Sequence, residues 1–534
     1  MTTSSDPVLV VGGRTTGLMM AAELARHGVP VRIIDKSPGI DPHSRATYLH
    51  ARTLEVFQML GVADEIVAKG QPMKAISMYA NGRHVTTTPD LPVDSPFPWG
   101  AAFAQSKTET ILQRHLNGLG IEVERSTELL DLQQHDGHVQ ATIRKADGTE
   151  EVVTAPWLIG CDGAHSTTRR HIDEEFPGEI DPFPYLAADV MIDGPIKPEI
   201  AYLCLHDQGD LFIFLLDEGR RQIISTLPKN SERTHPPTLE EVQQLVDERG
   251  FTKLRISDPR WLTTYRTHYR LAPKYRVGRV FLAGDSAHIH SVIGGQGMNT
   301  GIQDAFNLAW KLALVLRGVV PEWWMDTYES ERRRVAADVI HWTKKATDEL
   351  THFAELSPAE QQRLCDHMVV PESDRLPLRN HQEELDLDYR SSRLSLELEP
   401  LEVGPTPGAR APDVVPVTAS GVVTSLFLTL RAPYHHLLLF NPPEAETIDA
   451  DLLAAATKEL EAHGKWLKVL IVGPEGGGEL PDGATLITDP EGKLRQSYGG
   501  NDARLYLIRP DGYIAYRSRS VDGLDVYLAR VLNG

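Results

Sequence analysis

The sequence predicts an α/β protein in three parts. An α/β domain with a parallel sheet is assembled from separated segments, a β-sheet domain lies between those segments, and a small α/β unit follows. Three observations carry this. Short apolar runs ending at a glycine or aspartate recur at residues 8–11, 157–160 and 278–285, as buried parallel strands do. Stretches of short, alternating apolar and polar pieces separate them, as in antiparallel sheets. A Pro- and Gly-rich passage, P-T-P-G at 405–408 and R-A-P at 410–412, precedes a fresh series of strand patterns and reads as a linker.

The elements follow in order. Residues 8–11 (VLVV) make a strand, the apolar run after Gly17 a helix, and residues 29–35 (VPVRIID) a second strand. Residues 75–103 weaken into short alternating pieces, 108–119 are helical, and 122–155 read as short strands with a K-A-D-G turn at 145–148. Residues 157–160 (WLIG) form another buried strand, and 186–227 alternate again. A strand over 278–285 leads through a glycine-rich loop into a long helix, roughly 298–317, and a second long helix covers 326–348. Beyond the linker, strands are expected at 436–440, 467–472, 484–487, 505–509 and 512–516.

Composition bounds the function. A chain of 534 residues implies two to four domains. With 41% hydrophobic and 24% charged residues the balance is that of an ordinary globular protein. No apolar run is long enough to span a bilayer, and the opening MTTSSDP lacks the basic-then-apolar pattern of a secretory signal. No membrane association is therefore expected. Cys161, Cys204 and Cys365 are too few and too far apart for a disulfide framework or a metal site, and they suit a reducing cytoplasm. A net charge of −20 argues against a nucleic-acid partner.

The turn after the first strand departs from G-x-G-x-x-G, for it has Gly12, Arg14 and Gly17. The outer glycines permit the tight turn and the helix–strand contact, and the middle one lets backbone approach a pyrophosphate. Gly13 adds slack. The Arg14 Cβ is expected to push a phosphate away or open the turn, whereas its guanidinium beside a pyrophosphate is a favourable pair. Thr15 and Thr16 stand where a helix N-cap belongs. Asp35, followed by Lys36, ends the second strand, where a carboxylate accepts from both ribose hydroxyls and repels a 2′-phosphate. On this stretch alone, a plain β-α-β unit with a polar turn remains open. The loop Gly294-Gly-Gln-Gly297 after Asp285 opens a long helix, so backbone amides and a helix N-terminus converge on a place suited to negative charge. The stretch WLIGCDGAHSTTRR at 157–170 again ends a strand at an aspartate, Asp162, with Ser166 and Arg169 following.

Together these stretches resemble the single-component (class A) FAD-dependent aromatic hydroxylases. C-D-G at 161–163 followed by S-x-x-R matches one family motif. The string A-G-D-x-A-H-x-x-x-x-x-G-G-Q-G-M-N-x-G-x-x-D-A-x-N-L-x-W-K-L, at 283–312, matches another. The resemblance covers about the first 400 residues, and the subgroup with a C-terminal extension, acting on phenols and polycyclic polyketides, fits best. It implies a Rossmann-like FAD-binding domain from residues 1–74, 104–178 and 276–400. A substrate-binding β-sheet domain would take 75–103 and 179–275, and a thioredoxin-like domain 401–534. No cysteine lies beyond Cys365, so thiol redox chemistry is excluded there and that domain is read as structural.

The resemblance also assigns residues. Gly12, Gly13, Arg14, Thr16 and Gly17 would border the FAD pyrophosphate, and Asp35 with Lys36 the adenosine ribose. Arg45 and Gln105 (Q-x-x-x-E with Glu109) would reach the cofactor, and Asp162 would support the pyrophosphate region and the path of the electron donor. Asp285 would bind the ribityl hydroxyls, and Gly295, Gly297, Met298 and Asn299 would meet the flavin ring. Two departures stand out: Arg14, and Ser291-Val292 where the family has a Pro-Pro pair that stiffens the loop. If the Arg14 side chain obstructs, Arg14→Gly tightens FAD.

The implied reaction takes electrons from NADPH or NADH, activates O2 at the flavin, and inserts one oxygen atom into a small aromatic substrate, phenolic or polycyclic. Baeyer–Villiger insertion beside a ketone and a cofactor-impaired binding or assembly protein are the alternatives, and a homodimer is left open. No catalytic base is assigned. Tyr202, His206 and Asp210 read as structural or exposed. His288 and His290 lack the further ligands a metal requires.

Overall fold

The computed structural model describes residues 6–229, 231, 235–351, 353–415, 417–419, 421–502, 504–521 and 523–533. The first five residues, part of the opening searched above for a signal, lie outside them.

The architecture is mixed α/β. A six-stranded sheet runs Arg276–Val277, Val280–Leu282, Leu158–Gly160, Val8–Val11, Val31–Ile34, Val123–Glu124. Its neighbours are parallel except for the first pair. Strands far apart in sequence thus lie side by side: Leu9 pairs with Leu158, and Leu158 with Val280. All three strands are buried, which is why each reads as an unbroken apolar run. Helix Thr15–Arg26 packs between this sheet and the helix Gln296–Leu316.

An eight-stranded sheet runs His288–Ile289, Arg255–Leu271, Gly178–Asp193, Arg221–Thr226, Leu211–Leu215, Ile200–Leu205, Ala75–Ala80, Arg83–Pro89. It is antiparallel except where Ala75–Ala80 lies beside Ile200–Leu205. Its outermost piece, His288–Ile289, begins three residues after Asp285. The stretch carrying the glycine loop therefore belongs to both sheets' neighbourhoods. A three-stranded antiparallel sheet, Glu128–His135, His138–Arg144 and Glu150–Ala155, stands apart.

The last part of the chain forms a seven-stranded sheet. His435–Phe440, helix Ala450–His463 and Leu467–Val472 make a parallel β-α-β unit. Leu505–Ile508 and Ile514–Ser518 add a hairpin on the other side, and helix Leu524–Asn533 follows.

Two sequence expectations shift, and one long strand was not foreseen. The helix expected at 108–119 begins earlier, as Gln105–Gly118. The strand Arg255–Leu271 carries no sequence signal, because nearly all of its residues are only partly covered and no clean alternation results. The linker at 405–412 is not free chain. Gly408 N donates to Ile514 O at 2.7 Å and Ala411 N to Gly512 O at 2.9 Å, so prolines that prevent helix formation here leave an extended strap on the C-terminal sheet. That sheet also shares a core with the rest: Trp310 and Trp324 pack in one apolar cluster with Leu437, Leu439 and Leu505.

Candidate active site

Strand Val8–Val11 ends at Gly12, whose φ of +108° and tight contact exclude any side chain: a Cβ there would lie 2.2 Å from Cys161 O. At Gly17 a Cβ would lie 1.8 Å from Gly12 O. Both outer glycines are sterically required. Gly13, read as slack, is not slack. A Cβ there would come within 2.8 Å of Val123 and 3.0 Å of Asp35 Cβ, and its N–H donates to Asp35 Oδ2. Asp35 Oδ1 accepts from Ser37 N at 2.6 Å, and Arg125 lies 3.8 Å away. The aspartate therefore braces the turn from the second strand.

The N-cap expectation also changes. Arg14, not Thr15 or Thr16, occupies the cap of helix Thr15–Arg26, and no side chain caps the helix amides. The threonines are already helical, and they have other partners. Thr15 Oγ1 donates to Glu109 Oε1 at 3.0 Å, and Thr16 packs where a Cβ on Gly284 or Gly301 would stand, within 2.6 Å and 2.5 Å of its Oγ1. The first amides of this helix are left without a side-chain cap. Arg14 lies in extended backbone at φ −96°, and its guanidinium points to acids, with Nε 3.3 Å from Glu109 Oε1 and a terminal nitrogen 3.6 Å from Asp41. Gln105 donates to the same Glu109 oxygen at 2.9 Å.

A cavity of about 560 Å³ runs from this turn to the large sheet. Gly12, Arg14, Thr16, Asp35, Lys36, Arg45, Gln105, Asp162, Asp285, Gly295, Gly297 and Met298 all line it. Gly13, Gly17 and Asn299 do not; they hold its walls. Asn299 donates to Gly295 O at 2.7 Å and Tyr48 O at 2.9 Å. Asp162 lines the cavity while its carboxylate caps its own loop, accepting from Ser166 Oγ at 2.6 Å and Thr168 N at 2.9 Å. Arg169 ties that loop to the Asp285 loop by donating to Ser286 O at 2.8 Å and Ala164 O at 2.8 Å.

Asp285 sits deep in the protein, yet its surface faces the cavity rather than protein atoms. Burial raises its pKa, and His288, Arg45 and Arg14 partly offset this. Neither Asp285 nor Arg45 has a side-chain hydrogen bond among the described residues. The helix after Gly295 starts without a side-chain cap as well.

At the far end the wall is apolar, built by Met73, Leu203, Phe212, Phe214, Leu215 and Ile224. Polar groups there are few: Gln222, anchored to Ser44 O at 3.3 Å, and His290, whose Nδ1 faces Ser291 O at 3.1 Å. Burial, with His288 beside it, pushes His290 down to about 4, so it is neutral at pH 7. His288 bonds Asp304 Oδ2 at 2.7 Å, and Arg332 holds the other Asp304 oxygen at 2.8 Å. Tyr202, His206 and Asp210 do not line the cavity.

Sequence reading missed the apolar wall, most of whose residues lie along 203–224 and were visible only as a sheet. It also missed Glu109 as an organising group and Trp342, which reaches the cavity from helix Asp326–Thr351.

The chain matches the family described as "FAD binding domain" over residues 5–343. It is 32% identical to a 6-methylpretetramide 4-monooxygenase of Streptomyces rimosus, over 96% of this chain and 90% of that protein. It is 31% identical to a pentachlorophenol 4-monooxygenase of Sphingobium chlorophenolicum, over 97% of this chain and 94% of that one. The solved structure of aklavinone-11 hydroxylase in complex with FAD and aklavinone superposes with a TM-score of 0.78 at 27% identity, covering 100% of both chains.

Proposed function

The chain belongs to the FAD binding domain family, its relatives are flavin-dependent monooxygenases, and from that premise we propose its substrate, its electron donor and the roles of its residues. It inserts one oxygen atom from O2 into a phenolic or polycyclic, polyketide-like aromatic compound, with NADH or NADPH as donor. The observation that carries this reading is the single cavity that joins a dinucleotide turn to an apolar, aromatic-lined wall. Residues 1–74, 104–178 and 276–400 form the FAD-binding domain and 75–103 with 179–275 the substrate domain. Residues 401–534 form a thioredoxin-like structural domain, a reading that the β-α-β unit followed by a hairpin supports.

The residues present fit FAD. The cradle at Gly12 and Gly17 admits backbone and nothing larger. Asp285 and Arg45, an anion and a cation whose side chains make no hydrogen bond among the described residues, face the same space, where a ligand with hydroxyl and phosphate groups can pair with both. When bound, FAD supplies the redox chemistry, accepting electrons from the donor and, reduced, activating O2.

The chain's own residues bind, orient and screen. The amides at the start of helix Thr15–Arg26, with Arg14 nearby, hold the pyrophosphate. Asp35 and Lys36 hold the ribose, and Asp285 the ribityl hydroxyls. Gln105 and Arg45 flank the flavin chain, and Asp162 keeps the neighbouring loop in place. Gly295, Gly297 and Met298 present backbone to the ring, where the amides and dipole of helix Gln296–Leu316 stabilise negative charge. Phe212, Phe214 and Leu215 hold the aromatic substrate and exclude water, which suppresses loss of activated oxygen.

The test is the visible spectrum of the purified protein before and after gel filtration with FAD. A retained flavin spectrum, followed by substrate-stimulated NAD(P)H consumption and a product heavier by one oxygen, is the expected result. A protein that stays colourless with added FAD would return the chain to the binding-module alternative. Ring expansion of a ketone substrate, seen by NMR, would replace hydroxylation by Baeyer–Villiger chemistry.

A further inference from the structure

The glycine loop has two consecutive residues in the left-handed region, Gly294 at φ +84° and Gly295 at φ +67°, and no proline precedes it. Such a segment has the most backbone freedom to lose on ordering. Apart from one turn bond, Gly295 N to Val292 O at 3.0 Å, its order comes from outside. Upstream, Ser291 Oγ accepts from Ile293 N at 3.2 Å and bonds Thr347 Oγ1 at 2.8 Å. Downstream, Asn299 holds Gly295 O. Between them the tie is His50, whose Nε2 lies 2.9 Å from Gly294 O and whose backbone N–H donates to Asn299 Oδ1 at 3.0 Å.

His50 is itself fixed from behind. Its Nδ1 lies 3.7 Å from Glu383 Oε1, an ion-pair distance rather than a hydrogen bond. Glu383 accepts from Ala51 N at 2.5 Å and pairs with Arg379 at 2.7 Å, and Arg379 pairs with Asp90 at 3.2 Å. His50 and Glu383 are wholly buried. Glu383 on the Nδ1 side favours the protonated ring against the cost of burial, and that ring carries a proton on each nitrogen, so Nε2 donates to the Gly294 carbonyl. Tyr48, edge-on to the His50 ring at 5.1 Å, lines the cavity directly.

We propose that His50 is a positioning residue for the glycine loop: backed by Glu383 and Arg379, it pins the Gly294 carbonyl and so holds the cavity wall at the proposed flavin ring, supplying by a side chain the stiffness that prolines would give. Its consequence for oxygen coupling rests on the flavin reading; its hold on the loop does not.

The test compares the full-length wild type with His50→Leu, His50→Gln and Glu383→Gln. Two quantities are read: amide hydrogen exchange of residues 291–299, and peroxide released per NAD(P)H consumed. His50→Leu is expected to speed exchange by about tenfold or more, as loss of a buried tie does, and to raise the peroxide share. His50→Gln, whose amide can still donate to the carbonyl, restores both. Unchanged exchange in His50→Leu overturns the proposal, and so does equal damage in His50→Leu and His50→Gln. If His50→Leu does not fold, Glu383→Gln decides: faster exchange confined to 291–299 supports the tie, and unchanged exchange removes it. A wild type without flavin fails the functional reading, and exchange alone then judges His50.

Discussion

At Glu109 three donors meet on one buried oxygen: the Arg14 guanidinium, the Thr15 hydroxyl and the Gln105 amide. Removing the carboxylate strands three side chains that line the cavity. Glu109→Ala is expected to weaken FAD binding about ten- to a hundredfold, the range for losing a charged buried acceptor, as measured by flavin fluorescence titration. Arg14 behaves differently. Its extended backbone has no need of glycine, and its side chain is drawn aside by Asp41 and Glu109. Arg14→Gly should therefore change FAD affinity by less than about fivefold, since half-exposed ion pairs are worth about 0–1 kcal/mol. That revises the expectation of tighter binding; a large gain would show that the side chain still obstructs. Gly12 and Gly17 were legible in the sequence because contact with backbone leaves only one residue type. The role of Gly13 was not, because the Val123 strand that crowds it comes from a hundred residues away.

Between elements, the loop that opens helix Gln296–Leu316 is set against helix Asp326–Thr351. A Cβ on Gly294 would lie 2.4 Å from the Trp342 ring. Gly294→Ala thus meets a clash and an unfavourable φ together. It should cost about 1–3 kcal/mol in a thermal melt and reduce flavin retention. Adding Trp342→Ala should recover only the packing share, because φ remains positive. The string from Asp285 to Leu312 made this helix and loop readable at once. The strand Arg255–Leu271 was unreadable for a physical reason: its partner Gly178–Asp193 leaves most of its side chains half covered on both faces, so nothing in its composition marks an inside.

For the whole molecule, the decisive contact is a buried charge cluster. Glu331 accepts from Arg509 at 2.9 Å on both oxygens, from Lys311 and Asn307 at 2.7 Å, and from Ser392 at 2.5 Å. Arg52 donates to Asp511 O at 2.6 Å, and Trp324 to Val531 O at 2.8 Å. Burial alone would raise Glu331, but Arg509 and Lys311 outweigh it and hold its carboxyl well below the ordinary 4.5. A depressed folded pKa gives stability that is present above the unfolded value and lost as pH falls through the folded one. Glu331→Gln should cost about 3–5 kcal/mol at pH 7, the range for breaking a buried pair. In denaturant titrations that gap should narrow only below about pH 4.5. A gap independent of pH would remove the ionic explanation. A chain ending at residue 400 should aggregate, since Trp310 and Trp324 would lose their apolar cover. The sequence marked this last unit as separate because its strand pattern restarts. It could not show that the unit's Arg509 completes a site on helices two hundred residues earlier.

That late arrival bears on how the protein is made. A ribosome releases Lys311 and Glu331 long before Arg509 exists, and the first strand, Val8–Val11, well before its neighbour at Leu158. A nascent chain must keep Lys311 and Glu331 in water until Arg509 emerges. Long waits of this kind favour slow folding and an appeal to chaperones. They also make Arg509 and the sheet that carries it the partner for which the buried acid on helix Asp326–Thr351 waits.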